Sequence, residues 1–337
     1  MSLKKQLKLI SALGSKDAYP HKVLDIKVEE THISWVLLTG LFAYKVKKEV
    51  KFGEILDFST LDLRGRFCQT EIDINKFLCG DMYLGVVKIV DSNDGGVRIV
   101  PLKSKGRVLE YAVKMREISQ KFRMDNLLQH GTINSYIIEK LTSKLVQFHR
   151  HTATNNRIKQ FGRPEYMKRK VEENFQTLMK LMKVDDKLED KLNSFIKNNN
   201  ELFIHRIKDG KIRDIHGDLY LKNIFVVDGR FYLYDRIEFN NELRYADVAE
   251  DVAHFAMDLD FHQRLDLRKH FISKYESQSK DAELAEIVYF LMCYKACIRA
   301  KVSLFRAKSM VTGYAKKIKV EEAMSHLKLA QSYLPLF

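Results

Sequence analysis

Between residues 216 and 235 the chain holds the side chains best suited to chemistry. In His216-Gly217-Asp218-Leu219-Tyr220-Leu221-Lys222-Asn223 a carboxylate and a carboxamide share one short polar run, and a further carboxylate, Asp235, follows. Asp218 could orient a hydroxyl and accept its proton. Asn223 and Asp235 offer hard oxygen donors of the kind Mg²⁺ prefers. Such a set suits transfer of a heavily charged group, where the protein supplies position and counter-charge rather than covalent chemistry. The plain alternative is a polar loop that carries His, Asp and Asn for turn chemistry. The sequel argues against it: IFVV and RFYLYD read as strands joined by Asp228-Gly229, a two-residue hairpin signal that delivers Asp235 at its end.

The rest of the chain must position these residues. Residues 1–18 are apolar at a helical period (Leu3, Leu7, Ile10, Leu13) up to Gly14. HKVLDIKVEE, WVLL and LFAYKVKKEV read as three consecutive antiparallel strands, with a turn at Thr39-Gly40. Alternation on the third strand puts Ala43, Lys45 and Lys47 on one face. Residues 50–64 look irregular, and Arg66 to Leu78 is helical, with Phe67, Glu71, Ile74 and Leu78 near one side. LGVVKIV, a turn at NDGG, VRIVPL and GRVLEYAVKM add further strands. Beyond about residue 117 helical periods take over: KLTSKLVQFHRH, 166–198 and 280–333 fit amphipathic helices. The expected division is therefore between 1–116, rich in strands, and 117–337, mostly helical.

Residues 216–223 lie beside the kinase catalytic loop H-R-D-L-x-x-x-N, matching His, Asp, Leu and Asn in register, with Gly217 for Arg. Asp235 takes the place of the kinase metal-binding Asp. On the third strand, Phe42-Ala43-Tyr44-Lys45 has the A-x-K spacing of the lysine that holds kinase phosphates, with Lys47 its rival on the same face. Glu71, on the helix that follows, is placed to pair with that lysine. The loop Glu30-Thr31-His32-Ile33-Ser34 contains no glycine, but its backbone N–H groups with the Thr31 and Ser34 hydroxyls could still cradle phosphate.

These residues resemble the aminoglycoside phosphotransferase-like branch of the protein-kinase-like fold, whose signature is H-G-D-x-x-x-x-N followed by a metal-binding Asp. With THISWVLLTG, AYKVKK, FGEILDFSTL, YAVKMR, HGDLYLKNI and YDRIEFNNELRY, the chain looks like an uncharacterised bacterial and archaeal group of such kinases over most of 20–305. Tyr220 departs from the His common at its position in the family. The resemblance implies an α+β, two-lobed protein-kinase-like fold: an antiparallel-sheet N-terminal lobe with one main helix, and a mostly helical C-terminal lobe with a catalytic-loop hairpin. It implies ATP bound under a hinge near Met115–Glu117, Mg²⁺ on Asn223 and Asp235, and transfer to a hydroxyl of a small molecule with Asp218 as base.

Composition narrows the classes. In 337 residues, 45% are hydrophobic and 30% charged, enough to bury a core and to exclude wholesale disorder. No apolar run approaches a spanning helix and no secretory signal is visible, so a soluble cytoplasmic protein is expected. Four cysteines without a C-x-x-C pair make neither a disulfide framework nor a zinc ribbon; Cys293 and Cys297 read as core. A net charge of +14, spread along the chain without a nucleic-acid motif, favours phosphate-bearing partners or an anionic surface but indicates no nucleic acid firmly. The same charge argues against polycationic aminoglycosides unless Asp235, Glu238 and Glu242 form a local acidic pocket. A Ser/Thr-type protein kinase is the first alternative, disfavoured because RIEFNNELRYADVAEDVAHF leaves no room for a peptide-holding loop and no A-P-E occurs. A kinase-like nucleotide-binding module without turnover is the second. Asp247 and Asp251 flank AEDVAHF, where Asp247 could cap a helix or brace the loop. Tyr294, Lys295, Arg299 and Lys301 mark a basic helix; His149 and His254 read as packed or surface residues.

Overall fold

A computed structural model describes residues 3–92, 95–310 and 313–337. Asn93 and Asp94 of the expected NDGG turn lie outside the described residues, as do Val311 and Thr312 within the expected helical stretch 280–333. In chain order, α1 (Leu3–Ala12) precedes β1 (Lys27–Glu30), β2 (Ser34–Leu38), β3 (Phe42–Lys47) and a small hairpin, β4 (Lys51–Phe52) and β5 (Leu56–Asp57). Then come α2 (Leu61–Cys79), β6 (Tyr83–Asp91), β7 (Val97–Pro101) and β8 (Val108–Arg116). Helices follow: α3 (Met124–Gln129), α4 (Ser135–His151), α5 (Asn156–Lys159), α6 (Pro164–Met179), α7 (Asp186–Asn198) and α8 (Asn200–Lys208). Four short strands interrupt them, β9 (Ile212–Asp214), β10 (Ile224–Val227), β11 (Arg230–Leu233) and β12 (Tyr245–Asp247). The chain ends in α9 (Val248–Phe261), α10 (Leu265–Ser279), α11 (Leu284–Ser309) and α12 (Tyr314–Tyr333).

The chain divides into two compact units: Met1–Phe122 with Phe225–Asn241, and Arg123–Ile224 with Glu242–Phe337. The first is built on a six-stranded antiparallel sheet in the order β1-β2-β3-β8-β6-β7. One face buries Trp35, Leu37, Tyr44, Val46, Ile89 and Ala112 against Leu9, Ile10 and Leu13. The alternate residues of β3 face α2. That helix begins at Leu61, earlier than its expected start at Arg66, because the Thr60 hydroxyl accepts from Leu63 N–H and caps it. Gly65 sits inside the helix because a Cβ there would come within 2.8 Å of the Tyr111 ring on β8. The β10–β11 hairpin also packs on α2, where Cys79 Sγ meets Leu233 O at 3.1 Å, so residues 225–241 belong with the first unit.

The second unit is helical apart from the β9–β12 pair. Its centre is α9, buried from Val248 to Asp260 and flanked by α10 and α11. All four cysteines are buried free thiols. Among the described residues, no helix is long and apolar enough to cross a membrane.

Candidate active site

On the first unit, alternation along β3 aims Lys45 and Lys47 at the same helix. Lys45 Nζ lies 2.9 Å from Glu71 Oε1 and 2.5 Å from Asp235 Oδ1. Lys47 Nζ lies 2.7 Å from Glu71 Oε2 and also pairs with Glu238. Burial alone would raise the Glu71 pKa, but Lys45 and Lys47 outweigh it and hold the group at about 2. Burial likewise pulls Lys45 down, and Asp235 and Glu71 more than reverse it, so the ammonium stays charged. The two lysines differ in what they face. Lys47 is fully enclosed, whereas Lys45 meets Asp235, whose side chain is 41% exposed. Lys45 is therefore the lysine at the accessible end of the network.

Asp235 has a left-handed backbone, φ +65°, which Asp tolerates better than most residues. Three contacts hold this conformation. Asp235 N–H donates to Tyr83 Oη at 3.2 Å, Arg236 N–H to Asn75 Oδ1 at 3.1 Å, and Arg236 Nη1 to Ile74 O at 2.5 Å. Asn75 in turn donates to Glu71 O at 2.7 Å. One turn of α2 thus positions both the partner of Lys45 and the segment carrying Asp235. Asn75 and Tyr83 carry no motif, and only spacing from Glu71 could have flagged Asn75.

Two other expected residues are placed differently. The Thr31 hydroxyl donates to Ser34 O at 3.0 Å and accepts from Ser34 N–H at 2.9 Å, closing the β1–β2 turn. Ser34 is fully buried, and its Oγ has no hydrogen-bond partner among the described residues. The Thr31 hydroxyl is thus taken up by the turn, and the Ser34 hydroxyl lies in the core. Met115 is buried on β8 opposite Ala43 and Tyr83, and Glu117 accepts from Thr39 and Gly40 N–H at 2.8 Å, tying the β2–β3 turn to the end of β8.

On the second unit, α9 shapes the loop 216–223. Asp251 accepts from His216 N–H at 2.7 Å and Gly217 N–H at 2.9 Å, and its Oδ2 lies 3.1 Å from His149 Nε2. Gly217 has φ +88°, a conformation side chains disfavour. Asp258, two turns along α9, accepts from Leu221 N–H at 2.9 Å. Burial would raise the Asp251 pKa, but the His149 and His216 contacts hold it below the usual carboxylate range. Within this frame Asn223 Nδ2 donates to Asp218 O at 2.9 Å and Asp218 Oδ2 at 3.2 Å. The Asp218 side chain remains 37% exposed. Asp247 caps α9 through Ala249 N–H and forms a bidentate pair with Arg206, so it secures the helix rather than the loop.

The donor chemistry suits Mg²⁺. Asn223 directs its amide nitrogen to Asp218 and so keeps its carbonyl oxygen for other partners, and Asp235 is an accessible carboxylate. Among the described residues no cluster of three or more His, Cys, Asp or Glu forms a self-contained metal site. Few protein ligands supplemented by substrate phosphates is the usual arrangement for this ion. The acids that could have formed a pocket for a polycation are each paired: Asp235 with Lys45, Glu238 with Lys47, and Glu242 with Arg169 at 3.1 Å.

No protein-family model matches the chain. Among curated proteins it is 33% identical over 330 residues to an uncharacterised protein of Mycobacterium tuberculosis, covering 95% of this chain and 62% of the relative. The chain therefore spans under two thirds of the length of the curated relatives it matches. Among solved structures it is similar to a choline kinase from Cryptosporidium parvum, with TM-score 0.52, 11% identity, and 93% of this chain and 88% of that chain covered. It is also similar to a GDP complex of an aminoglycoside 2'-phosphotransferase-IIIa mutant, with TM-score 0.52, 13% identity, and 98% of both chains covered. A Plasmodium vivax ethanolamine kinase gives TM-score 0.50 and 13% identity over 91% of this chain and 81% of that one.

Proposed function

Because the chain has the fold shared by aminoglycoside phosphotransferases and choline and ethanolamine kinases, we propose that it is an ATP-dependent phosphotransferase acting on a hydroxyl of a small molecule. The observation that carries the reading is Lys45, bonded at once to Glu71 and to the accessible Asp235. A lysine so fixed supplies a standing positive charge for nucleotide phosphates. Asn223 and Asp235 would hold Mg²⁺, which when bound neutralises charge on the phosphates.

Asp218 would accept a hydrogen bond from the acceptor hydroxyl. As the acceptor oxygen bonds to the γ-phosphorus and the bridging P–O bond of ATP breaks, the hydroxyl proton passes to Asp218 and ADP leaves. Asn223 fixes the carboxylate for that task from the side. The bracing of 216–221 by Asp251 and Asp258 keeps the loop rigid, so orientation is largely set before the substrate arrives. A small acceptor is favoured over a peptide because α9 begins at Val248, soon after Asp235. The test is incubation with γ-labelled ATP and a metabolite pool, followed by identification of the labelled product. Labelling of a generic protein substrate with no metabolite labelled would move the chain to the protein-kinase reading.

A further inference from the structure

Tyr220, where the catalytic loop departs from the family's common His, stands beside two polar side chains that the proposed transfer does not use. Arg299, on α11, is 6% exposed, and its Cζ lies 4.4 Å from the Tyr220 ring centroid. Among the described residues its Nε has no hydrogen-bond partner. Among the described residues its guanidinium forms no ion pair: Asp218, Asp258 and Glu322 act on it only through space. Those acids are engaged elsewhere, Asp258 with Leu221 N–H, Glu322 with Ser303 and Lys319, and Asp218 with Asn223. Of the other buried arginines, Arg64, Arg206, Arg244 and Arg268 each meet a carboxylate, and Arg236 donates to Ile74 O.

The second unused group is His254 of α9. Its ring stacks on Tyr220 with centroids 5.6 Å apart and planes 10° apart. Its Nδ1 lies 3.8 Å from Asp218 Oδ1, and among the described residues neither ring nitrogen has a hydrogen-bond partner. Burial, reinforced by Lys295 and Arg299, keeps its pKa far below the usual value, so it is a neutral imidazole with one N–H to give.

Tyr220 and the three acids offset the burial of this guanidinium through space, but they leave its hydrogen-bonding edge unmet, which is costly for a buried donor. The cost is offset when an anion arrives, because guanidinium matches carboxylate and phosphate oxygens two at a time. We propose that the acceptor phosphorylated at Asp218 carries an anionic oxygen group, carboxylate or phosphate, held by Arg299 beside Tyr220, with His254 adding a neutral N–H. This specificity rests on the phosphotransferase reading above. The chain's charge of +14 agrees with it, since it draws anions and repels cations at long range.

Two measurements test it. In the first, the protein is saturated with Mg²⁺ and a non-hydrolysable ATP analogue to fill the nucleotide site, and sulfate is titrated at constant ionic strength while thermal unfolding is followed. Wild type should show a saturable rise in Tm that Arg299→Met abolishes. Arg299→Lys, which keeps the charge and is the variant to use should Arg299→Met misfold, should weaken it. No saturable rise in wild type, or an equal rise in the variants, overturns the proposal. In the second, the product labelled from γ-labelled ATP should carry an anionic group besides the transferred phosphoryl. Arg299→Lys should then raise KM for that acceptor about 10- to 100-fold with little change in kcat. A neutral or cationic labelled acceptor refutes the anion site and leaves the phosphotransferase standing. Failure to bind the ATP analogue, with nothing labelled, refutes both.

Discussion

Replacing each lysine of β3 with methionine should invert the order of damage to stability and to nucleotide binding. Lys47 is fully enclosed, bonded to Glu71 and Glu238, with its Nζ 5.0 Å from the centre of the Phe58 ring. Methionine fills most of its volume, so Lys47→Met mainly removes charge. Glu71 keeps Lys45, but Glu238 loses the base bonded to it and must take up a proton or remain charged in the interior. Breaking a buried pair in this way costs about 3–5 kcal/mol. At roughly 2–4 °C per kcal/mol for a unit of this size, Tm should fall by about 6–20 °C. Lys45→Met leaves Glu71 with Lys47 and returns Asp235, 41% exposed, to water, so it should cost only about 1–3 kcal/mol. That variant, however, removes the charge proposed to hold the phosphates. Thermal unfolding by circular dichroism and calorimetric titration with Mg·ATP read the two effects separately. Adding Glu238→Gln to Lys47→Met should recover part of the lost stability, because a neutral amide needs no counter-ion. A Lys45→Met protein that loses more Tm than Lys47→Met while still binding ATP would refute the assignment of the two lysines.

Asp218→Asn should lower kcat by about 10²–10⁴-fold with ATP affinity nearly unchanged; near-normal turnover would remove Asp218 as the base. Turnover should vanish in EDTA and return with Mg²⁺ or Mn²⁺, and Asp235→Asn should raise the metal concentration required; metal-independent transfer overturns the ligand pair. Stability should fall on acidification in two steps. Burial holds His326 at about 4 against 6.5, so the unfolded chain binds the proton first and stability drops between about pH 6.5 and 4, by roughly 3 kcal/mol. His326→Gln should flatten that limb of the Tm–pH curve, and an unchanged limb would show that another group causes it. Glu250, raised by burial but held at about 2 by Lys170 and Lys295, keeps its contribution until pH falls from about 4.5 towards 2.

What could be read from the sequence was what local geometry dictates. The Asp228-Gly229 turn has φ +48° and +75° and closes the hairpin that leads to Asp235. The period of β3 does set Lys45 and Lys47 against one partner, Glu71. It could not choose between them, because alternation fixes a face and not a depth. The start of α2 was hidden by Arg64-Gly65, which reads as irregular chain until Tyr111 is seen to require the missing Cβ. Thr31 and Ser34 looked alike as hydroxyls, but their roles were decided by the turn they close. The membership of 225–241 in the first unit rests on contacts with α2, more than a hundred residues earlier, which no local pattern encodes.

The bracing of the catalytic loop left the least trace, for a physical reason. Asp251, His254 and Asp258 recur at three- and four-residue steps, so all lie on one face of α9. From Asp251 to Asp258 the helix rises by roughly 10 Å. Along that line the loop runs from His216 N–H, past Asp218, to Leu221 N–H. The loop copies its shape from a rigid, buried helix, and its enclosed N–H groups find acceptors there that they would otherwise lack. Carboxylates do this better than amides: each accepts more than one N–H, and the charge strengthens every bond. Their burial is offset by fixed backbone donors and, at Asp251, by the His149 ring as well. In the sequence these acids are merely interruptions of an apolar helix, D-V-A-H-F-A-M-D, and the spacing acquires meaning only when the loop it serves is laid against it.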